Sequence, residues 1–273
     1  LSSSGTSGLS ESLAGGLNYS YDFSKNTKLM SSYFYSLYDN SLKQSSTTQN
    51  FIEGGSFASG SSGSRETNFG SHSASLRFDH KFDSTNNLRI RGSFKKNDGK
   101  ISSADSSFTN NLVGDFQNSS RSNYTSTSDA ISFNANVLHS KRLKKKGRVL
   151  TTKITGSNSR EYSPLFLNSE QIFNPLAPVF LQNQEQITDN NSLTYSGKIT
   201  FTEPIGKKRY IELNASHQNN NYESVKEFYN LSDNSSPVFD ERLSTNFSNE
   251  YSEKFITLRH GLAQSLNSIA AFL

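Results

Sequence analysis

Hydrophobic and polar residues alternate strictly along most of this chain. In the first such segment, Leu17, Tyr19 and Tyr21 occupy one set of alternate positions, while Asn18 and Ser20 occupy the other. A period of two residues is typical of β-strands with one apolar and one polar face. The pattern recurs in about nine segments, each near the 9 to 11 residues of a tilted membrane strand. The sequence therefore predicts an all-β, antiparallel protein.

The two sets of alternate positions differ in chemistry, which predicts two different environments. Ten apolar positions are expected to face lipid: Leu17, Tyr19, Leu76, Phe78, Ile90, Phe133, Ile154, Ile199, Phe201 and Leu213. Seven cations on the opposite set are expected to line a wet lumen: Arg77, Lys81, Arg89, Arg91, Lys95, Lys153 and Lys198. Asp22, Asp79 and Glu212 are the acids of that set, so cations are in excess. A charged lumen wall can select solutes or hold a plug of opposite sign.

The connections between the predicted strands alternate in length. Short polar turns are predicted at residues 24–26, 83–86, 144–147 and 204–207, about every 60 residues. Long connections of roughly 20 to 30 residues are predicted near residues 40–68, 97–127, 160–191 and 223–244, whereas most loops of compact domains are shorter. Short turns at one rim and long loops at the other are typical of outer-membrane β-barrels. A soluble antiparallel sandwich is the alternative, because its strands also alternate.

Composition narrows the class of protein further. Only 32% of the 273 residues are hydrophobic, which disfavours a compact enzyme with an ordinary core. Aromatic residues make up 12%, which argues against simple disorder. There is no cysteine, so thiol chemistry and disulfides are excluded. The absence of tryptophan departs from the usual aromatic girdle of membrane proteins, so tyrosine and phenylalanine would have to form it.

Candidate chemical motifs in the sequence lead to no catalytic, cofactor or metal site. The strongest basic run spans residues 141–148 and falls in a predicted turn, which favours a solvated rim over a nucleic-acid site. The five histidines lack metal-ligand spacing. The Gly/Ser-rich stretch at 54–64 lacks a phosphate-loop ending. Asp233, Asp240 and Glu241 match no calcium loop. We therefore expect no enzyme and no cofactor.

Two stretches resemble a known family. Residues 143–150 (LKKKGRVL) and 201–214 (FTEPIGKKRYIELN) resemble the barrel region of Bacteroidetes outer-membrane β-barrel proteins similar to TonB-dependent receptors. The turn from Glu203 to Lys207, followed by Tyr210 to Asn214, is the most specific element. Ser32–Tyr35 and Asn246–Tyr251 are similar to the same family, so the resemblance covers about residues 15–255.

The resemblance implies an up-and-down transmembrane β-barrel in the outer membrane of a Gram-negative bacterium, importing a bulky solute. It also implies a plug domain and an energy-coupling TonB-like partner in the full-length protein. About nine strands fall short of such a barrel, so residues 1–255 are expected to form an incomplete segment with an open or partly curved sheet. Residues 256–273 are expected to form an irregular or short helical tail, because Leu258, Leu262, Leu266, Ile269 and Leu273 follow helical spacing.

An alternative function is open at this point. The barrel could anchor long surface loops for adhesion or interaction, without transporting a solute.

Overall fold

The computed structural model describes residues 8–51, 55–111, 113–174, 176, 178–206, 209–231 and 236–262. Within these ranges the chain is all-β. The strands are β1 (Leu9–Ser24), β2 (Thr27–Asn50), β3 (Phe57–Asp83), β4 (Asn86–Asn111), β5 (Phe116–Arg142), β6 (Val149–Ile172), β7 (Phe180–Pro204), β8 (Arg209–Asn230), β9 (Val238–Phe239) and β10 (Thr245–Leu262). The described part of the chain contains no helix long and apolar enough to cross a bilayer.

All ten strands belong to one antiparallel sheet in which neighbours in sequence are neighbours in space. The order is β1-β2-β3-β4-β5-β6-β7-β8-β10, and the two-residue β9 pairs with the end of β8. The predicted antiparallel up-and-down topology is therefore confirmed. β1 and β10 form the two edges and do not pair with each other, so the described sheet is open, as expected. A second sheet packed against the first, as in a sandwich, is absent from the described ranges.

The four predicted short turns lie at one end of the sheet, which we call the turn end. The turns are hydrogen-bonded to the neighbouring strands there, since the carbonyl of Asn26 accepts a hydrogen bond from the amide of Lys81 at the end of β3 at 2.8 Å. The carbonyl of Thr85 accepts one from the amide of Arg142 at 2.7 Å. Gly147 has a φ of +86°, a conformation that suits glycine in the turn between β5 and β6. Lys207, at the end of the fourth turn, lies outside the described residues.

The predicted long loops are mostly strand, which corrects the sequence interpretation. Residues Gln44 to Asn50 of β2 pair with Gly63 to Phe57 of β3, although both stretches are rich in Ser, Thr and Gly. Continued pairing with β3 gives the backbone groups that face β3 a partner, and this outweighs the weak strand propensity of the side chains. We call the opposite end of the sheet the loop end. Three of its connections are shorter than predicted, at residues 51–56, 112–115 and 173–179, and the fourth, residues 231–244, is long and contains β9.

The C-terminal boundary also differs from the prediction. β10 continues to Leu262, so residues 256–262 are strand and not the start of a tail. The leucines at 258 and 262 follow helical spacing in the sequence. They are nevertheless part of an extended strand, because position 258 pairs with Leu213 and position 262 pairs with Arg209 of β8. Residues 263–273 lie outside the described ranges.

The sheet has a single layer and consequently almost no core. Among the described residues, Tyr210 is the one buried hydrophobic residue, and its relative exposure is 9%. Large apolar side chains such as Leu17 and Ile154 stand in the open, at 77% and 56% exposure. Backbone pairing, and not interior packing, therefore positions the two faces of the sheet.

Candidate functional site: an apolar band and a cationic patch

Strand register shows which predicted residues share a face. Residues that pair directly across antiparallel strands point to the same side of a sheet. One such row crosses the whole sheet through Tyr21, Leu29, Phe78, Ile90, Val137, Ile154, Gly197, His217 and Lys254. All ten residues predicted to face lipid lie on the side defined by this row, which we call the apolar face. All seven predicted lumen cations lie on the opposite side, the polar face.

The apolar face is apolar over only part of its length. Nearer the loop end, the side chains on this face are charged and no longer apolar. The first charged residues are Lys96 on β4, Asp129 on β5 and Arg160 on β6. They pair with one another and with the next strand: Lys96 lies 3.3 Å from Asp129, and Arg160 lies 2.7 Å from Asp189. These ion pairs mark a border between an apolar half and a polar half of one face.

The apolar half forms a continuous band near the turn end, which we call the apolar band. On alternate positions it occupies residues 13–23, 29–37, 74–82, 88–94, 131–137, 150–156, 193–201, 211–215 and 256–258 of successive long strands. From β1 to β7 this is about 7 to 11 residues per strand, or roughly 23 to 36 Å at about 3.3 Å per residue. For strands tilted by about 40°, that length corresponds to a height near the apolar belt of about 25 Å in outer-membrane barrels.

The loop-side border of the apolar band runs obliquely across the sheet. On β1 the band ends at Leu13. The row of paired residues that contains Leu13 crosses the sheet and meets β10 at Asn246. On β10, however, the band ends at Ile256, ten residues closer to the turn end than Asn246. This shift is roughly 33 Å along the strands over eight strand spacings of about 4.8 Å, so the border is inclined by about 40° to the rows. Strands of transmembrane barrels tilt by about 35 to 45°.

The polar face is the more enclosed of the two. Five of the six buried polar residues lie on it, namely Ser103, Ser140, Ser169, Thr202 and Asn214. One complete row across β1 to β8 consists of small hydroxyl and amide side chains: Asn18, Ser32, Ser75, Ser93, Asn134, Ser157, Thr194 and Asn220. Two depressions of about 720 and 840 Å³ are lined mainly by residues of this face.

Cations concentrate on the polar face beside these depressions and beside a smaller one, of about 200 Å³, that Lys153 and Lys198 share. We call the following seven residues the cationic patch: Lys28, Arg77, Lys81, Arg89, Arg91, Lys153 and Lys198. Asp79 lies among them and accepts hydrogen bonds from Nε of Arg77 and Nε of Arg89, both at 2.6 Å. Lys95, the remaining predicted lumen cation, lies on the same face nearer the loop end.

A second ion cluster lies at the turn end, and the sequence interpretation did not pair its members. Glu203 lies at the end of β7. It accepts two hydrogen bonds from Arg148 and one from Lys145, which are both in the turn between β5 and β6. These hydrogen bonds, from Arg148 first and Lys145 second, lower the pKa of Glu203 to about 2. The basic run and the Glu-Pro-Ile-Gly-Lys turn are both visible in the sequence, but only strand pairing shows that they meet.

The remaining candidate residues have structural partners or lie in loops. Nδ1 of His72 and Nδ1 of His80 are within 2.7 and 2.8 Å of the hydroxyls of Tyr33 and Thr27, respectively. Asp240 accepts hydrogen bonds from neighbouring loop groups, while Asp233 lies outside the described residues. Within the described ranges no cluster of three or more His, Asp or Glu side chains is arranged to hold a metal ion.

Comparison with known proteins does not assign the chain to a family. No protein-family model matches it, and no curated protein matches it. What the fold defines is a class of structure: an open, single-layer, up-and-down antiparallel sheet with one face half apolar and the other polar.

Proposed function

We propose that this chain forms part of the wall of an outer-membrane β-barrel similar to TonB-dependent receptors, importing a bulky solute. The observation that carries the proposal is the oblique apolar band. Its height on β1 to β7, and the inclination of its loop-side border by about 40° to the rows, agree with strands tilted through a bilayer. The apolar band would face lipid, and the polar face would line a wet lumen.

Lipid accounts for the band better than a protein partner does. Exposed apolar surface of this extent requires a cover, and the described residues supply none. A bilayer is a planar slab, so it imposes a straight border, oblique to the rows, on any tilted sheet that enters it. The loop-side border of the band has this form, and the band narrows to residues 211–215 on β8 and 256–258 on β10. A protein partner would impose the outline of its own surface, and nothing would relate that outline to the tilt of the strands.

The polar loop-side halves of the strands support the same orientation. β4 continues from Lys96 to Asn111 beyond the apolar band, which is roughly 50 Å of strand at about 3.3 Å per residue. Both faces of this part carry polar residues, so it would project into water. Short turns lie on the periplasmic side in outer-membrane barrels, and longer segments lie outside the cell. The turn end would accordingly be periplasmic.

The import role rests on the resemblance of residues 143–150 and 201–214 to receptor barrels. A receptor of this kind works with a plug domain and an energy-coupling TonB-like partner, which we propose for the full-length protein. The polar face, with its cationic patch and its row of hydroxyl and amide groups, would then contact the plug or the solute. Hydrogen-bonding groups along a lumen wall can set its selectivity.

A second candidate function is adhesion, and the projecting strands favour it. A barrel that carries roughly 50 Å of polar sheet above the membrane offers a large surface for a partner. Sequencing the gene on both sides of this chain separates the two functions. A plug domain with an energy-coupling segment would favour import, whereas a closed barrel lacking both would favour adhesion.

Cysteine labelling tests the membrane assignment, because the chain has no native cysteine to react. In outer-membrane fragments containing the complete gene product, Ile154→Cys should resist a water-soluble maleimide, since its thiol would face hydrocarbon. The neighbour Thr155→Cys, on the polar face, should react. Tyr162→Cys, on the apolar face but beyond the border, should also react. Equal labelling of Ile154→Cys and Tyr162→Cys would contradict a lipid-facing band.

A further inference from the structure

We propose that the cationic patch is a binding site for a polyanionic solute, one that carries several phosphate or sulfate groups. This inference deepens the proposed function, because it rests on the polar face being a solute-accessible lumen wall.

Two pairs of like charges oppose each other directly across neighbouring strands. Arg77 on β3 pairs with Arg91 on β4, and Lys153 on β6 pairs with Lys198 on β7. Like charges placed directly opposite each other destabilise a sheet. A multivalent anion bound between them would turn this repulsion into attraction, so the arrangement favours an occupant.

The acids within the patch are already engaged. Asp79 binds both Arg77 and Arg89, and Asp22 lies 3.7 Å from Lys28. One further acid, Glu253, lies near the lysine pair and lines the same depression as Lys153 and Lys198. The patch therefore keeps a surplus of positive charge after its internal pairing.

Arg91, Lys153 and Lys198 are exposed and available to a ligand. In the described structure no carboxylate lies within the 4.0 Å of an ion pair from any of the three. Asn134 and Asn136 lie on β5, between the strand of Arg91 and the strand of Lys153, and all four residues line the same depression. Their amides would add neutral hydrogen bonds, while guanidinium and ammonium groups would supply charge-assisted ones.

The spacing of the two pairs selects the size of the anion. The arginine pair and the lysine pair are three strand spacings apart and two residues apart along the strands. At about 4.8 Å per spacing and 3.3 Å per residue, that is roughly 16 Å. A single phosphate or sulfate is too small to bridge that distance. The adjoining depressions, of about 720 and 840 Å³, have the volume of a site for a larger molecule. A short chain or ring bearing several anionic groups fits both observations.

Titration calorimetry on the complete gene product in detergent tests the site. The probes are linear polyphosphate of about ten units and a sulfated oligosaccharide of similar length, each giving several charges over the required span. We expect binding of at least one probe, weakened by added salt. The double variant Lys153→Gln/Lys198→Gln should weaken it by at least about tenfold, since two charge-assisted contacts are lost.

A matched control removes the same charge elsewhere. Lys144→Gln/Lys146→Gln changes two lysines of the turn between β5 and β6, outside the patch, and should change the affinity less than about twofold. Lys153→Arg/Lys198→Arg keeps the charge and should restore binding. Equal weakening by the two glutamine variants would overturn the proposal, because net charge alone would then explain the affinity. Absence of binding by both probes, or binding of only an acidic polypeptide such as polyglutamate, would overturn it too.

The outcome is distinguishable from failure of the proposed function. If cysteine labelling shows no lipid-facing band but polyphosphate binding depends on Lys153 and Lys198, the anion site stands without the membrane role. If the labelling pattern holds and neither probe binds, the barrel wall stands and the anion site does not.

Discussion

Adjacent residues of one strand meet different surroundings in this sheet. Ile154 and Thr155 are neighbours on β6, yet Ile154 lies on the apolar face within the apolar band and Thr155 lies on the polar face. The alternation of side chains along an extended strand is the whole cause of this difference. In the proposed barrel wall, substitutions at such neighbours would compare lipid and lumen at almost the same depth.

We expect Ile154→Arg to cost about 2 to 4 kcal/mol of unfolding free energy, the cost of arginine at the bilayer midplane. Thr155→Arg should cost less than about 1 kcal/mol, because its side chain would reach water. Phe201 lies at the turn-side limit of the band, so Phe201→Arg should cost only about 0 to 1 kcal/mol. Urea titration of the complete gene product refolded in lipid vesicles measures all three. Similar costs at Ile154 and Thr155 would contradict the assignment of faces.

A pH effect is expected at Glu203. Its pKa in the folded chain is about 2, below the ordinary value of 4.5, because Arg148 and Lys145 hydrogen-bond its carboxylate. A lowered folded pKa contributes stability above the unfolded pKa and loses it as pH falls. We therefore expect the contribution to be fully present above about pH 5 and to disappear as pH falls toward 2. The cluster is partly solvated, so added salt should reduce the effect.

Glu203→Gln should remove this part of the acid sensitivity when unfolding is followed by circular dichroism between pH 6 and 2. Glu66→Gln serves as the control, because Glu66 is an exposed strand glutamate for which the described structure shows no ion pair. An unchanged acid profile for Glu203→Gln would mean that the ion cluster contributes nothing to stability.

At the scale of single elements, strand length differs most from the sequence interpretation. The stretch from Asn40 to Asn50 contains no clear alternation, yet it extends β2 and pairs with β3 throughout. Its side chains, mostly Ser, Thr and Gln, have modest preference for strands, so the extended conformation depends on pairing with β3. In the described sheet β1 reaches this strand only as far as Ser41.

Hydrogen exchange checks this extension. In the complete gene product, the alternate backbone amides of residues 42–49 that point to β3 should exchange slowly, since β2 pairs with β3 across this stretch. Amides of Phe51 and Gly55, in the connection between the strands, should exchange fast. Fast exchange throughout residues 40–68 would restore the long loop first expected there.

At the scale of the whole molecule, the two free edges dominate the energetics. β1 and β10 each leave one side without a partner strand in the described sheet. Each unpaired backbone group costs several kcal/mol in hydrocarbon, so an open sheet is not stable across a bilayer. Further strands must satisfy both edges if the apolar band lies in lipid.

This leads to a prediction for the chain expressed alone. We expect no heat-modifiable, protease-resistant band after refolding in detergent or lipid, because the residues described here do not close the sheet. The complete gene product should give such a band under the same conditions. A monomeric heat-modifiable species from this chain alone would show that β1 and β10 can pair and that a small autonomous barrel forms.

Much of the architecture follows from the sequence through local physics. Alternation at Leu17 to Tyr21 identifies a two-faced strand, because the strand period is two residues and neighbouring side chains point to opposite sides. The turn between β3 and β4 can also be predicted from the sequence, because its polar residues separate two alternating segments. Where local patterns are strong, as in β1, β4 and β7, the residues predicted to share a face do share one.

Tertiary structure alone decided the features that depend on register. The pairing of Lys153 with Lys198, the meeting of Glu203 with Arg148, and the oblique border of the apolar band arise from residues far apart in the chain. No local pattern reports register, because a slip of two residues leaves every side chain on its own face. The same holds for the polar half of β2 and the end of β10, which are strands only because a neighbouring strand satisfies their backbone groups. The sequence by itself thus determined the two chemistries of the sheet, and the pairing of strands decided where each chemistry begins, ends and meets its partners.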